Sequence, residues 1–275
     1  MNSTPALVDV AWLAEHIGDR DVIVLDAGMG AARKCPERIP GAQHFDIDGE
    51  MSDTESDLPH TLPAPGAFTA ACRRLGISAN SHVIVYDPQG IYSSPRARWM
   101  LTRAGHRHVS VLDGGLPAWI AAGNRTEPWS NASADRSGQF IAQPFRDHVD
   151  VQTVLNALAS DEVTVVDARS RGRFAGTAPE PRPGLRGGHM PGAVNVPFAE
   201  LLDSDGRMKP VADLREAFDE VVPPDRALIT SCGSGVTACV VGLAAELVGR
   251  DFLLYDGSWS EWGRDNDLPV VEGSD

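Results

Sequence analysis

Residues 227–249, ALITSCGSGVTACVVGLAAELVG, predict a strand, a tight turn and a helix in immediate succession. The apolar residues 227–231 form the predicted strand, and the Gly-rich residues 232–237 form the predicted turn. From Val236 onward, apolar residues recur at helical spacing. A turn of this kind directs backbone N–H groups and the positive end of the helix toward one point. Cys232 is the first residue of the turn, so we expect its nucleophilic thiolate form to be stabilised there.

The second half of the chain repeats the first. Four landmarks occur in the same order in both halves, at offsets of 141, 151, 145 and 143 residues: VIVLD at 22–26 and VTVVD at 163–167, IPGA at 39–42 and MPGA at 190–193, VIVYD at 83–87 and LITSC at 228–232, and LDGGLPAW at 112–119 and YDGSWSEW at 255–262. We therefore interpret the chain as two copies of one α/β unit, residues 1–123 and 151–275, joined by a linker at 124–150 that is poor in apolar residues. Strands that alternate with helices predict a mainly parallel sheet flanked by helices in each copy.

The two copies differ at the position that decides the chemistry. Asp87 stands in the first copy where Cys232 stands in the second. Ligands of such α/β folds gather at the carboxyl ends of the strands, and both residues follow a predicted strand. A carboxylate is no sulfur nucleophile, so we expect the first copy to be inactive and the second to be catalytic.

Charge and composition exclude several classes of function. The 275 residues carry a net charge of −14, which argues against nucleic acid or an anionic membrane as a partner. The apolar runs are far shorter than the roughly 20 residues that span a bilayer, and the N-terminus lacks the pattern of a signal peptide. Four cysteines in a chain of this length indicate no disulfide framework, so we expect a cytoplasmic location.

The four cysteines have different predicted roles. Cys232 heads a Gly-Ser-Gly turn at a strand end, which favours a catalytic thiol over a small buried core residue. Cys239 lies inside the predicted helix and is expected in the core, while Cys35 and Cys72 have no reactive surroundings in the sequence. The spacing between Cys232 and Cys239 matches no metal site, so we expect no metal.

The CGSGVT loop at 232–237, the tandem repeat and the Asp-Gly-Gly and Asp-Gly-Ser segments that precede a Trp resemble the two-domain rhodanese family of sulfurtransferases, and within it the 3-mercaptopyruvate sulfurtransferases. The resemblance covers nearly the whole chain and implies two tandem rhodanese-like domains. It also implies that Cys232 carries sulfur as a persulfide, that pyruvate is released, and that a thiol such as thioredoxin, a small thiol or cyanide accepts the sulfur. No dissociable cofactor is implied.

The residues after Cys232 bear on the sulfur donor. Family members that use thiosulfate typically carry basic residues there, whereas this chain has Gly233 and Ser234. A neutral loop fits a donor with one carboxylate, but thiosulfate:cyanide sulfur transfer remains an alternative, as does a non-catalytic rhodanese-like binding module. A phosphatase of the related Cys-loop type would need Arg at position 238, where this chain has Ala238.

A carboxylate donor requires cations, and residues 167–186 hold five arginines. Arg173 and Arg182 match the clamp with which the family holds the substrate carboxylate, a task suited to the planar guanidinium fork. For the remaining three, Arg169, Arg171 and Arg186, pairing with acids such as Glu180 or exposure to solvent is the alternative interpretation.

The resemblance also implies a proton relay through Ser234, His60 and Asp48, in which His60 protonates the departing pyruvate. An ordinary loop histidine remains the alternative for His60. The backbone around the nucleophile, and the hydroxyl of Thr237 unless that residue only caps the helix, would bind the persulfide; these positions are Gly233, Gly235, Val236 and Thr237. His189 is interpreted as a structural turn histidine.

Overall fold

A computed structural model describes residues 4–129 and 137–273, so residues 130–136 of the predicted linker lie outside the described residues. The chain divides into two compact units. The first unit comprises Met1–Glu55, Leu62–Arg146 and Asp203–Met208, and the second comprises Ser56–Thr61, Asp147–Leu202 and Lys209–Asp275. Each unit thus includes a six-residue segment from the other half of the chain, and the two segments start 147 residues apart, at equivalent places in the repeat.

The first unit contains one parallel sheet and a small antiparallel ribbon. Its strands are β1 (Leu7–Val8), β2 (Val22–Asp26), β3 (Glu37–Arg38), β4 (Gln43–His44), β5 (His82–Tyr86), β6 (Val109–Leu112) and β7 (Glu127–Pro128). Its helices are α1 (Val10–His16), α2 (Pro65–Arg74), α3 (Ser94–Arg103) and α4 (Gly115–Ala121), with a 3₁₀ turn at Ala32–Lys34. The parallel sheet has the strand order β1-β6-β5-β2-β4, and β3 pairs with β7.

The second unit repeats this plan. Its strands are β8 (His148–Val149), β9 (Val163–Asp167), β10 (Val194–Asn195), β11 (Ala227–Ser231) and β12 (Phe252–Tyr255). Its helices are α5 (Val151–Leu158), α6 (Arg171–Phe174), α7 (Val211–Asp219), α8 (Ala238–Leu247) and α9 (Ser258–Trp262), with a 3₁₀ turn at Phe198–Leu201. The sheet order β10-β9-β11-β12-β8 is that of the first unit read from the other edge, and all its pairs are parallel.

The predicted fold class is confirmed by these two five-stranded parallel sheets with helices. The central strands are buried on both faces, as their uninterrupted apolar sequences predict. Helix α8 is buried from Ala238 to Ala245, so it packs as a core element behind the loop that starts at Cys232. None of the described helices is long and apolar enough to cross a membrane.

Three local features differ from the sequence pattern. The apolar spacing predicts a first helix from Val8 to Ile17, but the helix begins at Val10, because the carboxylate of Asp9 caps it by accepting the Trp12 N–H at 2.7 Å. Helix α8 begins two residues later than the apolar spacing indicates, since Gly235 has a φ of +74° and the chain turns through Val236 before the helix starts. The linker residues 137–143 hydrogen-bond to the first unit, for example through the Phe140 N–H and the carbonyl oxygen of Ile77.

Candidate active site

Cys232 follows β11, the middle strand of the second sheet, and is 2% exposed. Its backbone is fixed at both ends by the start of α9. The Cys232 N–H donates to the Ser258 hydroxyl at 3.2 Å, and the Trp259 N–H donates to the Cys232 carbonyl at 2.9 Å. The Gly233 carbonyl accepts from both the N–H and the hydroxyl of Ser260, at 2.9 and 2.6 Å. The thiol therefore sits on a rigid support at the carboxyl edge of the sheet.

The loop after Cys232 presents unused hydrogen-bond donors. Within residues 4–129 and 137–273, the backbone N–H groups of Gly233, Ser234, Val236 and Thr237 donate to no other group. Most buried N–H groups in proteins are paired, so several unpaired ones at the start of a helix mark a place prepared for an anion.

In the first unit, the N–H groups of the corresponding loop, which follows Asp87, bind a carboxylate. The Asp87 carboxylate turns back into its own loop and accepts five hydrogen bonds there. Its Oδ1 accepts from the N–H and hydroxyl of Ser93 at 3.0 and 2.5 Å, and its Oδ2 accepts from Tyr92 N–H at 2.9 Å and from the N–H and hydroxyl of Ser94 at 2.9 and 2.5 Å. In the first unit a side-chain anion fills the loop, whereas in the second unit the equivalent position is the Cys232 thiol.

In each unit, the six-residue segment from the other half of the chain contacts the loop that follows Asp87 or Cys232. In the first unit, the Ile91 N–H donates to the carbonyl of Gly206 at 3.1 Å. In the second unit, His60 Nδ1 lies 2.9 Å from the Ser234 hydroxyl oxygen. His60 has a φ of +63°, an uncommon conformation for a residue with a side chain. The segment Ser56–Thr61 therefore places an imidazole against the Cys232 loop.

Two guanidinium groups lie beside the residues that follow Cys232. An ideal Cβ built on Gly233 would stand 3.0 Å from Arg173 Nη2 and 3.8 Å from Arg182 Nη1. Arg182 Nη2 also donates to the Ser234 hydroxyl at 3.4 Å. The structure thus brings together Arg173, Arg182, Ser234 and His60, which the sequence analysis had named separately. Glycine at 233 leaves the room that the guanidinium groups occupy.

A buried charge network stands behind Arg173. Its Nε and Nη2 donate to the two oxygens of Glu180 at 3.1 and 2.6 Å. Glu180 also accepts from Arg169 Nη1 at 2.8 Å, and Arg169 donates to both oxygens of Asp167. The Arg169 guanidinium lies 4.0 Å from the ring centre of Trp259. Burial works against its charge, but the attraction of Asp167 and Glu180 outweighs that cost and raises the pKa of Arg169.

The two other arginines of this region have partners of their own. Arg171 forms an exposed ion pair with Glu200 at 2.6 Å. Arg186 donates to backbone carbonyls, among them those of Trp262 and Leu268, both at 2.9 Å. The ion pair of Arg171 agrees with the alternative interpretation given above, whereas Arg186 binds backbone carbonyls rather than an acid.

Asp48 lies in the first unit, where its Oδ2 accepts the N–H of Gly30 at 2.6 Å. The expectation that Asp48 orients His60 stays a prediction. Thr237 occupies the N-cap position of α8, but its hydroxyl makes no capping hydrogen bond. That observation disfavours the simple cap and leaves the hydroxyl for other contacts.

The remaining candidates are structural. Cys239 is buried and its Sγ–H donates to the Gly235 carbonyl at 3.5 Å. Cys72 is buried too, and burial raises the pKa of its thiol. His189 is fully buried and stacks on the ring of Phe174. Its Nδ1 forms a hydrogen bond with the backbone carbonyl of Phe174 at 2.9 Å. All four cysteines are free thiols, and the described residues contain no group of three or more His, Cys, Asp or Glu placed to hold a metal ion.

Two residues of the site were missed by the sequence analysis. Ser258 has a φ of +50° and is fully buried, with its hydroxyl between the Cys232 N–H and the Tyr255 carbonyl. A comparison of the two copies could have pointed to Ser258. The equivalent residue of the first copy is Gly115, which has a similar φ of +57°, so the second copy has a serine where the backbone favours glycine. Glu180 was considered only as one acid that could pair with the arginines, and no pattern in the sequence predicts its buried position between two of them.

Comparison with known proteins gives the family. The rhodanese-like domain family matches residues 9–122 and 150–265. The 3-mercaptopyruvate sulfurtransferase of Escherichia coli is 44% identical, over 98% of both chains, and that of Homo sapiens is 41% identical, over 94% of this chain and 91% of the human one. A thiosulfate sulfurtransferase of Rattus norvegicus is 43% identical, over 94% of this chain and 92% of the rat one.

Solved structures agree with the sequence comparison. The crystal structure of the Escherichia coli protein SseA, described among 3-mercaptopyruvate sulfotransferases, superposes with a TM-score of 0.83 at 39% identity, over 94% of this chain and all of that one. A 3-mercaptopyruvate sulfurtransferase from Leishmania major superposes with a TM-score of 0.81 at 27% identity, over 94% of this chain and 74% of that one. The chain therefore belongs to the rhodanese-like family, as a protein with two tandem rhodanese-like domains.

Proposed function

We propose that this protein is a 3-mercaptopyruvate sulfurtransferase that carries sulfur as a persulfide on Cys232. The observation that carries the proposal is the placement of two guanidinium groups, Arg173 and Arg182, beside the neutral residues Gly233 and Ser234 that follow the nucleophile. Relatives with this activity match the chain over nearly its full length.

The first step is attack of the Cys232 thiolate on the sulfur of 3-mercaptopyruvate. An S–S bond forms, the C–S bond of the donor breaks, and its electron pair stays on the carbon as the enolate of pyruvate. Arg173 and Arg182 hold the donor carboxylate, for which the guanidinium fork is suited in both charge and shape. The enzyme then bears an additional sulfur atom on Cys232.

The enolate must take up a proton before pyruvate leaves. Arginine only donates hydrogen bonds, so the Ser234 oxygen accepts from Arg182. For proton delivery, the protonated His60 donates from Nδ1 to the same oxygen, and the Ser234 hydroxyl proton passes to the enolate carbon. We assign the Ser234–His60 pair to this proton delivery, with Asp48 orienting the imidazole. The positive φ of His60, +63°, is part of the backbone geometry that directs its imidazole toward Ser234.

The outer sulfur of the persulfide is anionic and needs donors. The unpaired N–H groups of Gly233, Ser234, Val236 and Thr237 supply them, with the chain reversal at Gly235 shaping the loop. The five bonds to Asp87 in the first unit support this role, because there a loop of the same origin holds a carboxylate. The first unit is accordingly proposed to be inactive.

A nucleophilic acceptor, either a thiolate or cyanide, completes the cycle by attacking the outer sulfur and releasing the Cys232 thiolate. We propose thioredoxin, a small thiol or cyanide as acceptor, and the cytoplasm as location, since all four cysteines are free thiols. One plant relative is named as mitochondrial.

A second candidate is thiosulfate:cyanide sulfur transfer, because the rat thiosulfate sulfurtransferase is as similar to this chain as the 3-mercaptopyruvate enzymes are. Steady-state rates on both donors test the choice. We expect the larger kcat/KM with 3-mercaptopyruvate, and a larger value with thiosulfate would overturn the proposed donor.

The variant Arg182→Gln tests the carboxylate clamp. It is expected to lower kcat/KM for 3-mercaptopyruvate about 10- to 100-fold, the effect of one charge-assisted hydrogen-bond partner. Arg171→Gln is the matched control, since Arg171 pairs with Glu200 at the surface and should leave kcat/KM unchanged. Equal effects of the two substitutions would contradict the assignment.

A further inference from the structure

Glu180 is a buried carboxylate inserted between two arginines, with its side chain only 2% exposed. It accepts both a side-on pair of hydrogen bonds from Arg173 and one bond from Arg169. Arg173 is the guanidinium that lies 3.0 Å from the Cβ position of Gly233. Glu180 therefore binds the guanidinium group that adjoins the proposed donor site.

The charges of this region can be counted from its contacts. Two carboxylates, Asp167 and Glu180, balance the two guanidinium groups of Arg169 and Arg173. Arg182 forms no ion pair within the described part of the chain, and its one side-chain hydrogen bond there is to the Ser234 hydroxyl. These two carboxylates and three guanidinium groups therefore sum to a net charge of +1, carried by Arg182.

We propose that Glu180 sets the donor specificity by neutralising Arg173, so that the site prefers a donor with a single negative charge over a dianion. The inference rests on the proposed function and extends it to a residue outside the reacting atoms. With Glu180 in place, Arg173 offers the donor hydrogen bonds and shape but little net charge. The single carboxylate of 3-mercaptopyruvate matches the charge of Arg182, whereas the second negative charge of thiosulfate has no counterpart.

The test changes the charge of Glu180 and measures both donors. Glu180→Gln raises the site charge to +2 with little change in shape, so kcat/KM for thiosulfate relative to that for 3-mercaptopyruvate is expected to rise about tenfold. Glu180→Ala makes the same change of charge and places no amide N–H against the guanidinium groups. The ratio of the two kcat/KM values is measured in the variant that keeps the circular dichroism spectrum and Tm of the folded protein.

Two further variants separate charge from structure. Glu180→Asp keeps the charge while shortening the side chain, so both kcat/KM values are expected to fall together and their ratio to stay constant. Glu200→Gln removes an equally negative side chain from the exposed pair with Arg171, and it should not move the ratio.

Equal losses on both donors in Glu180→Gln and Glu180→Ala would overturn the inference, because they would show a role in support only. A ratio that shifts as strongly in Glu180→Asp or Glu200→Gln would overturn it as well. If the wild-type protein forms no persulfide from either donor, the proposed function itself fails. An active wild type with an unmoved ratio defeats the specificity role of Glu180 alone.

Discussion

Asp26→Asn is expected to stabilise the first unit at neutral pH. Asp26 ends β2 and is 1% exposed, with its carboxylate accepting the Gly28 N–H at 2.7 Å. Its counterpart in the second unit, Asp167, is paired with Arg169, but glycine stands at the matching position of the first unit. Burial, which outweighs the Gly28 hydrogen bond and is reinforced by Asp87, raises the pKa of Asp26 from 3.8 to about 6.

The sign and size of the effect follow from that pKa. An acid whose pKa is higher in the folded state binds more protons folded than unfolded between pH 3.8 and about 6, so stability falls as the pH rises through this window. The full cost above the window is about 3 kcal/mol, since one pKa unit corresponds to about 1.4 kcal/mol. Asparagine does not titrate, so the stability gained by the variant should grow by about 2 kcal/mol between about pH 4.5 and about pH 7.

Amide hydrogen exchange in β2 and β5, followed by mass spectrometry, measures this gain where it arises. Comparing wild type and variant at the same pH cancels the intrinsic exchange rates. Asp167→Asn is the control at the equivalent position. It is expected to destabilise the second unit at neutral pH, because it takes one of two carboxylates from the buried Arg169. A gain from Asp26→Asn that does not change with pH would refute the reasoning.

Three further substitutions have expected outcomes. Ser258→Gly should lower turnover about tenfold yet change the unfolding free energy by less than about 1 kcal/mol. Glycine adopts the positive φ of this position without strain, and this gain offsets the loss of the hydrogen bond to the Cys232 N–H. A drop in turnover matched by a drop in Tm would contradict this prediction. Asp87→Ala should destabilise the first unit by about 3 kcal/mol or more in urea unfolding, while persulfide formation continues. Four donors lose their acceptor, namely the N–H groups of Tyr92, Ser93 and Ser94 and the Ser94 hydroxyl, whereas the Ser93 hydroxyl keeps the Ala27 carbonyl; an unaltered urea midpoint would contradict this prediction. Cys239→Ser should retain turnover within about threefold, since a hydroxyl can donate to the Gly235 carbonyl in place of the thiol; loss of persulfide formation in that variant would place Cys239 in the chemistry.

The sequence was sufficient for the architecture. Strands β2, β5, β9 and β11 are apolar runs long enough to be recognised, and the recurring landmarks around them predicted two copies of one fold. The edge strands Leu7–Val8 and His148–Val149 could not be predicted, because two-residue strands show no periodicity. Their pairing is decided by neighbours distant in the chain.

The site was predictable in its parts but not in its assembly. Cys232 and its loop are contiguous, so their geometry follows from a local pattern. The contact of His60 with Ser234 joins residues 174 positions apart, and the exchange of Ser56–Thr61 into the second unit leaves no trace in composition or spacing. The role of Glu180 depends on the burial of its carboxylate between two arginines, which tertiary packing alone determines.

The central claim is that sulfur travels on Cys232, and peptide mass spectrometry of the protein after incubation with 3-mercaptopyruvate tests it most directly. The account predicts an addition of about 32 Da, one sulfur atom, on the peptide that contains Cys232. The addition should be absent from Cys232→Ser and should disappear from the wild type when a thiol acceptor is added. An unmodified Cys232 in a protein that still releases pyruvate, or sulfur found on Cys35, Cys72 or Cys239 instead, would contradict the account.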